Sequence, residues 1–225
     1  MAKSPASRSA FGDVSGVSYP RPSRPRPSLQ VLHALPEGVR RQVRLADQPM
    51  PVDALSILPE PGAPVLDWGR THEVMGWGAD RFALGALNAA HRLLSPHPPV
   101  WIGRARDVRT LRPEALGAFI PPASLTLVEA GRRADILWAA EQVLRAPAQA
   151  VCVVQLPQGP NLAESRRLQV ASESGRSMGL ILISGRAHSS TCQTRWECDA
   201  PDVWRAVKNK TGPVGDWAVP DVVAP

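Results

Sequence analysis

A doubly wound α/β fold is what this sequence predicts, with a mainly parallel sheet, helices on both faces and antiparallel strands at the C-terminal edge. Three observations carry that expectation. From residue 71 to residue 184, apolar strand-like runs alternate with runs of 3.6-residue period. The stretches Val151-Cys152-Val153-Val154 and Leu180-Ile181-Leu182-Ile183 are apolar throughout, as strands covered on both faces require. Between them Asn161 and Glu164 stand at N-cap and N3 spacing, so a helix separates the two strands.

The elements follow in order. Residues 1 to about 30 are rich in Ser, Pro and Arg, and Arg21-Pro22-Ser23-Arg24-Pro25-Arg26-Pro27 lacks the backbone donors that helix or central strand needs, which predicts an extended arm. A short helix fits Pro36 through Ala46, and Pro49, Pro51, Pro59, Pro61 and Pro64 mark a linker. The expected organisation is therefore a basic Pro/Arg-rich arm, short helix and linker over residues 1–64, and a folded domain over residues 65–225. Thr71 to Met75 is the first strand, and Asp80 to Leu94 a helix with Phe82, Ala83, Ala86, Ala90, Leu93 and Leu94 on one face. Pro99 to Gly103 and Leu125 to Glu129 are the next strands. Arg132 to Arg145 is the clearest helix, its buried stripe being Ile136, Leu137, Ala140, Val143 and Leu144. Ala150 to Leu156 is a strand, Asn161 opens a helix to about Ser174, and Met178 to Ser184 is the last parallel strand. Thr191 to Cys198 and segments around Trp204 and Trp217, the latter two joined by Asn209-Lys210-Thr211-Gly212-Pro213, are expected as antiparallel additions at the sheet edge.

Composition bounds the function. At 225 residues, 44% hydrophobic and 20% charged, the chain fits one substantial domain that buries roughly 70% of its unfolded surface. The net charge of +6 resides in the first 45 residues, where Lys3, Arg8, Arg21, Arg24, Arg26, Arg40, Arg41 and Arg44 face only Asp13 and Glu37. A neutral body argues against a broad DNA groove, so Arg21, Arg24, Arg26, Arg40, Arg41 and Arg44 are the candidates for phosphate contact, the alternative being a solubilising arm. Lys3, Lys208 and Lys210 are the only lysines, which excludes chemistry needing a core lysine. Cys152, Cys192 and Cys198 form no CxxC pair and have no histidine at metal-ligand spacing, so reduced thiols and no metal are expected. With no apolar run of about 18 residues and no N-terminal apolar h-region, a cytoplasmic protein is expected.

Ligands of open α/β sheets bind beyond the carboxyl ends of the strands, and the first strand-to-helix turn there reads Gly76-Trp77-Gly78-Ala79-Asp80-Arg81-Phe82-Ala83. A phosphate loop needs G-x-x-x-x-G-K-[ST], because glycines let backbone N–H groups surround the phosphates, lysine neutralises them and the hydroxyl holds magnesium. Counting from Gly76, the last three places hold Arg81, Phe82 and Ala83, while Asp80 adds repulsion. A G-x-G without a third glycine, Gly76 and Gly78, is weak as a dinucleotide loop. Gln155 and Leu156 end the buried strand where such ATPases place a magnesium-holding Asp. No cofactor and no catalytic residue are expected. His72 beside Glu73, and the cluster Ser184, His188, Ser189 and Ser190, contain no G-x-S-x-G elbow and read as structural.

The helix Arg132-Arg133-Ala134-Asp135-Ile136-Leu137-Trp138-Ala139-Ala140-Glu141-Gln142-Val143-Leu144-Arg145, the segment Ala163-Glu164-Ser165-Arg166-Arg167-Leu168-Gln169, Thr194-Arg195-Trp196 and the opening Gly69-Arg70-Thr71-His72-Glu73-Val74 together resemble the ImuA family of damage-inducible mutagenesis proteins. The resemblance spans roughly residues 65 to 220 and implies a RecA-like fold, a degenerate phosphate loop and a non-catalytic accessory role in SOS-induced translesion DNA synthesis. Its implied partners are an ImuB-like polymerase adaptor, RecA and, indirectly, an error-prone DNA polymerase. A nucleotide-binding ATPase of the RecA superfamily and a SulA-like cell-division inhibitor are the alternatives. Trp138 falls with Ala134, Glu141 and Arg145 opposite the apolar stripe, either as an interface anchor or covered by a neighbouring element. Trp138, Arg145, Arg166 and Arg167 are the partner-binding candidates, although Arg166 and Arg167 diverge by about 100° and cannot share one flat phosphate track. Trp196, Trp204 and Trp217 are expected to roof the sheet rather than stack on bases.

Overall fold

The structure is a computed structural model that describes residues 53–58, 60–94, 98–146 and 150–219, all within the compact unit Arg41–Pro225. The expected helix at 36–46 and the arginines Arg21, Arg24, Arg26, Arg40, Arg41 and Arg44 lie outside the described residues. Strands β1 (Ala54–Leu55) and β2 (Leu66–Asp67) pair antiparallel. Then come β3 (Thr71–Met75), α1 (Ala79–Leu94), β4 (Val100–Gly103), the one-turn helices α2 (Ala105–Val108) and α3 (Pro113–Gly117), and a 3-10 turn at Pro122–Ser124. They are followed by β5 (Thr126–Glu129), α4 (Arg133–Arg145), β6 (Val151–Leu156), α5 (Leu162–Gly175) and β7 (Met178–Ile183), then β8 (Thr194–Glu197), β9 (Val203–Asn209) and β10 (Gly215–Ala218). The main sheet has eight strands in the order β10-β9-β8-β3-β7-β6-β4-β5.

Six neighbouring strands, from β8 through β5, pair parallel, and β9 and β10 are added by antiparallel pairings. This corrects the expectation for Thr191 to Cys198: β8 is no antiparallel edge strand but an interior strand parallel to β3, with His72 opposite Thr194. The ten residues 184–193 can span about 33 Å when extended, enough to return from the end of β7 to the start of β8 without a crossover helix. Sequence patterning identifies strands but not their partners, and a strand followed by a hairpin reads as an edge either way.

Alternation on the central strands builds two cores. Val151 and Val153 face one side, where α1 lays Phe82, Ala83, Ala86, Leu87 and Ala90 against Val74, Trp101 and Leu180. Cys152 and Val154 face the other, under Ile136, Leu137, Ala140 and Leu144 of α4 and Leu168 and Ala171 of α5. Phe82 stacks between Trp196 and Trp204, with ring centroids 5.1 and 4.8 Å apart, near the preferred spacing of tilted aromatic pairs. The predicted α1 stripe ends at Ala90, since Leu93 is exposed. A 16-residue helix is about 24 Å long and the strands beneath it about 17 Å, so its last turn overhangs. The proline-marked stretch expected as a linker also contributes to the fold: Leu55 and Leu58 are buried in the α1-side core, so packing extends back to β1. Among the described residues, no helix is long and apolar enough to cross a membrane.

Candidate functional site

Three residues, Gly76-Trp77-Gly78, join β3 to α1. Gly76 adopts a φ of 92°, and a Cβ there would lie 2.5 Å from Asp199 Oδ1 and 2.8 Å from the Cys198 carbonyl. A Cβ on Gly78 would lie 2.8 Å from the same carbonyl oxygen, to which the Gly78 N–H donates at 2.9 Å. The glycines thus admit the chain leaving β8, not a phosphate. Trp77 Nε1–H donates to the Asp199 carbonyl, and Arg81 Nη1 donates to the Pro201 carbonyl at 2.9 Å. Phe82 and Ala83, at the lysine and hydroxyl places of a phosphate loop, are fully buried core residues.

Beside this turn the carboxyl ends of β3, β6 and β7 enclose a cleft of about 250 Å³, whose lining includes Trp77, Asp80, Asp107, Thr110, Gln155 and Ser184. Gln155, near the end of β6, donates its amide N–H toward Asp80 Oδ1 at 3.4 Å. Burial pushes the Asp80 carboxyl above its ordinary value; the Gln155 bond pulls it back and the Asp107 charge adds to the rise. Asp107 is paired with Arg104 at 2.7 Å and Arg106 at 3.6 Å. No group of three or more His, Cys, Asp or Glu side chains suited to a metal occurs among the described residues. The Asp80 and Asp107 carboxylates line the cleft together with the Thr110 and Ser184 hydroxyls, and none of its lining residues is Lys, Arg or His. Sequence reading singled out Asp80 but not Asp107, whose one-turn helix is too short to show a period, nor Trp77, which only the tertiary position marks.

The second constellation lies on the pair α4–α5. Arg133 ties the helix starts together, pairing with Glu164 at 2.7 Å and donating to the Gln158 and Gly159 carbonyls at 2.8 and 3.0 Å. At the other end the helices touch: a Cβ on Gly175 would lie 2.0 Å from the Leu144 carbonyl. Glu141 is shared by Arg145 of its own helix and Arg167 of α5, the latter at 2.5 Å. Trp138 beside them is 62% exposed; the C-terminal segment beyond Val219, the other element expected to cover it, lies outside the described residues. Arg166 is exposed and makes no hydrogen bond or ion pair among the described residues, pointing away from Arg167 as the helical angle requires.

His72 and Glu73 of β3 lie inside the sheet. His72 is buried, its Nδ1 2.8 Å from Thr194 Oγ1 and its Nε2 3.1 Å from the Asp67 carbonyl, and burial lowers its pKa to about 4. Buried Glu73 pairs with Arg195 at 2.7 Å. Arg195 and Lys208 donate to the His188 and Ser190 carbonyls, pinning the loop that carries His188, Ser189 and Ser190. Trp196 and Trp204 are buried and Trp217 packs half-buried against the same core, so they roof the sheet. All three cysteines are free and buried. Burial raises each thiol, Cys192 to about 11.

Compared with known proteins, the chain matches no protein-family model and no curated sequence.

Proposed function

We propose that this chain is a non-catalytic accessory protein of damage-induced translesion DNA synthesis that works by binding other proteins. The observation that carries this reading is the exposure of Trp138 one helical turn from Glu141, which Arg145 and Arg167 share across α4–α5. Tryptophan and arginine are the residues most enriched at binding hot spots, and a ring 62% exposed contributes little to the fold that bears it. The two segments that most resemble the ImuA family, Arg132–Arg145 and Ala163–Gln169, fall on these same two helices, which supports placing the interface there. A degenerate RecA-like domain is the finer fold reading, supported by the strand–turn–helix at Gly76–Ala83 lying across β7 from Gln155. An ATPase reading finds no support at a turn whose glycines are filled by Cys198 and Asp199.

The partners are an ImuB-like polymerase adaptor and RecA, with an error-prone polymerase joined indirectly, in a cytoplasmic setting that fits three unpaired thiols. Affinity capture from DNA-damaged cells tests this. Wild-type protein should recover the polymerase-like adaptor or RecA, and Trp138→Ala should lose roughly tenfold of the recovery at unchanged melting temperature. Recovery of neither partner by wild type, or equal recovery by the variant, sinks the proposal.

A further inference from the structure

We infer that the outer face of α4–α5 receives an acidic amphipathic helix of a partner protein, one with an apolar stripe bordered by carboxylates. The inference rests on the interface proposed above and names the chemistry of its occupant. The two helices run side by side in the same direction, tied at their starts by Arg133 and Glu164 and touching at their ends where Gly175 meets the Leu144 carbonyl. Midway, Arg167 crosses to Glu141. Trp138 stands one turn before Glu141 on α4, and Val170 one turn after Arg167 on α5, both on the outward side. Leu162, Arg166 and Val170 form an exposed row at i, i+4 and i+8. Trp138, Leu162 and Val170 are 62%, 60% and 42% exposed, so three large apolar side chains stand on the outward side of one helix pair. Such a surface suits the apolar stripe of a third helix.

Charge selects the occupant. Every carboxylate on α4 and α5 already has an arginine: Asp135 has Arg132, Glu164 has Arg133, Glu173 has Arg70, and Glu141 has both Arg145 and Arg167. Arg166 has no ion pair among the described residues. The face therefore carries one guanidinium in excess at Glu141 and another at Arg166, and both flank the exposed apolar side chains. Carboxylates on a partner meet a positive potential there, whereas a basic helix is repelled. A second copy of this chain docking by the same face would set the same excess of cations against itself. A nucleic acid needs a row of free cations along its phosphates, but Arg145 and Arg167 are turned onto Glu141, whose own charge repels phosphate. What fits is a helix whose apolar side chains bury Trp138 and whose carboxylates fix its orientation.

Fluorescence anisotropy on the full chain tests this with three labelled probes. One is a synthetic helix of about 18 residues with Leu along one face and Glu and Gln along the other; the second is its twin with Lys in place of Glu, and the third a single-stranded oligothymidylate. The acidic helix should bind saturably at roughly tens of micromolar, with the Lys twin and the oligonucleotide roughly tenfold weaker. Trp138→Ala and, separately, Arg166→Glu should weaken the acidic helix several-fold at retained melting temperature, while Arg166→Lys keeps most of the affinity. The inference is overturned if the acidic helix does not saturate, if the Lys twin or the oligonucleotide binds as tightly, or if either Trp138→Ala or Arg166→Glu behaves like wild type. Its failure is distinguishable from that of the accessory role. A partner captured from DNA-damaged cells that Trp138→Ala loses and Arg166→Glu retains keeps the role and overturns the acidic occupant, whereas acidic-helix binding without capture of the adaptor or RecA does the reverse.

Discussion

Phe82, fully buried at the start of α1, has its ring locked between Trp196 and Trp204. A lysine there would put its ammonium into a dry aromatic cluster rather than toward a ligand. Phe82→Ala should cost about 3–5 kcal/mol in chemical denaturation, and Phe82→Lys should destabilise without any gain in calorimetric ATP affinity. His72 is the second residue with a measurable signature. Its pKa is lowered to about 4 by burial, below the ordinary unfolded value, so the unfolded chain binds the proton first. The stability it contributes is complete above pH of about 6.5 and is lost as pH falls toward 4, up to about 3 kcal/mol. Urea denaturation at pH 7 and at pH 4.5 measures this. His72→Asn, which keeps an amide toward Thr194, should show a shallower loss. Both residues were visible in the sequence, Phe82 as a failed lysine and His72 as structural. The aromatic packing of Phe82 was not visible, since its partners come from β8 and β9, more than a hundred residues away.

Helices α4 and α5 carry the predictions at the scale of elements. The capping box at Asn161, whose side chain accepts from the Glu164 N–H while Glu164 accepts from the Asn161 N–H at 2.9 Å, was legible from the spacing alone. Asn161→Ala should cost about 1 kcal/mol. Gly175→Ala should cost about 3 kcal/mol, because its methyl would meet the Leu144 and Ala146 carbonyls at 2.0 and 2.6 Å and force the helices apart. Denaturation midpoints of the two variants check the ranking, and a harmless Gly175→Ala would mean the helices do not approach so closely. Nothing local marks Gly175 as special, for it ends a helix as many glycines do. The helices α2 and α3 escaped sequence reading because one turn is shorter than a period can be recognised in.

Over the whole molecule, the two faces of one sheet hold separate cores, and the three thiols are distributed between them: Cys152 and Cys192 on the α4–α5 side and Cys198 on the α1 side. All are buried, and burial raises their pKa values, so thiolate is scarce at neutral pH. A thiol reagent such as Ellman's should therefore label none of the three in the native protein and all three in denaturant. Rapid labelling of any one without unfolding would contradict the packing of its face.

Taken alone, the sequence determined the α/β fold class and the identity and approximate bounds of α1, α4, α5 and the central strands. Each of these follows from residue types at short spacing, where backbone geometry leaves little freedom. Tertiary structure decided which strands pair, making β8 an interior parallel strand, brought Leu55 and Leu58 into the core, left Trp138 uncovered and assembled Trp77, Asp80, Asp107 and Gln155 around one cleft. These are contacts between segments far apart in the chain, and local pattern does not encode which segments will meet.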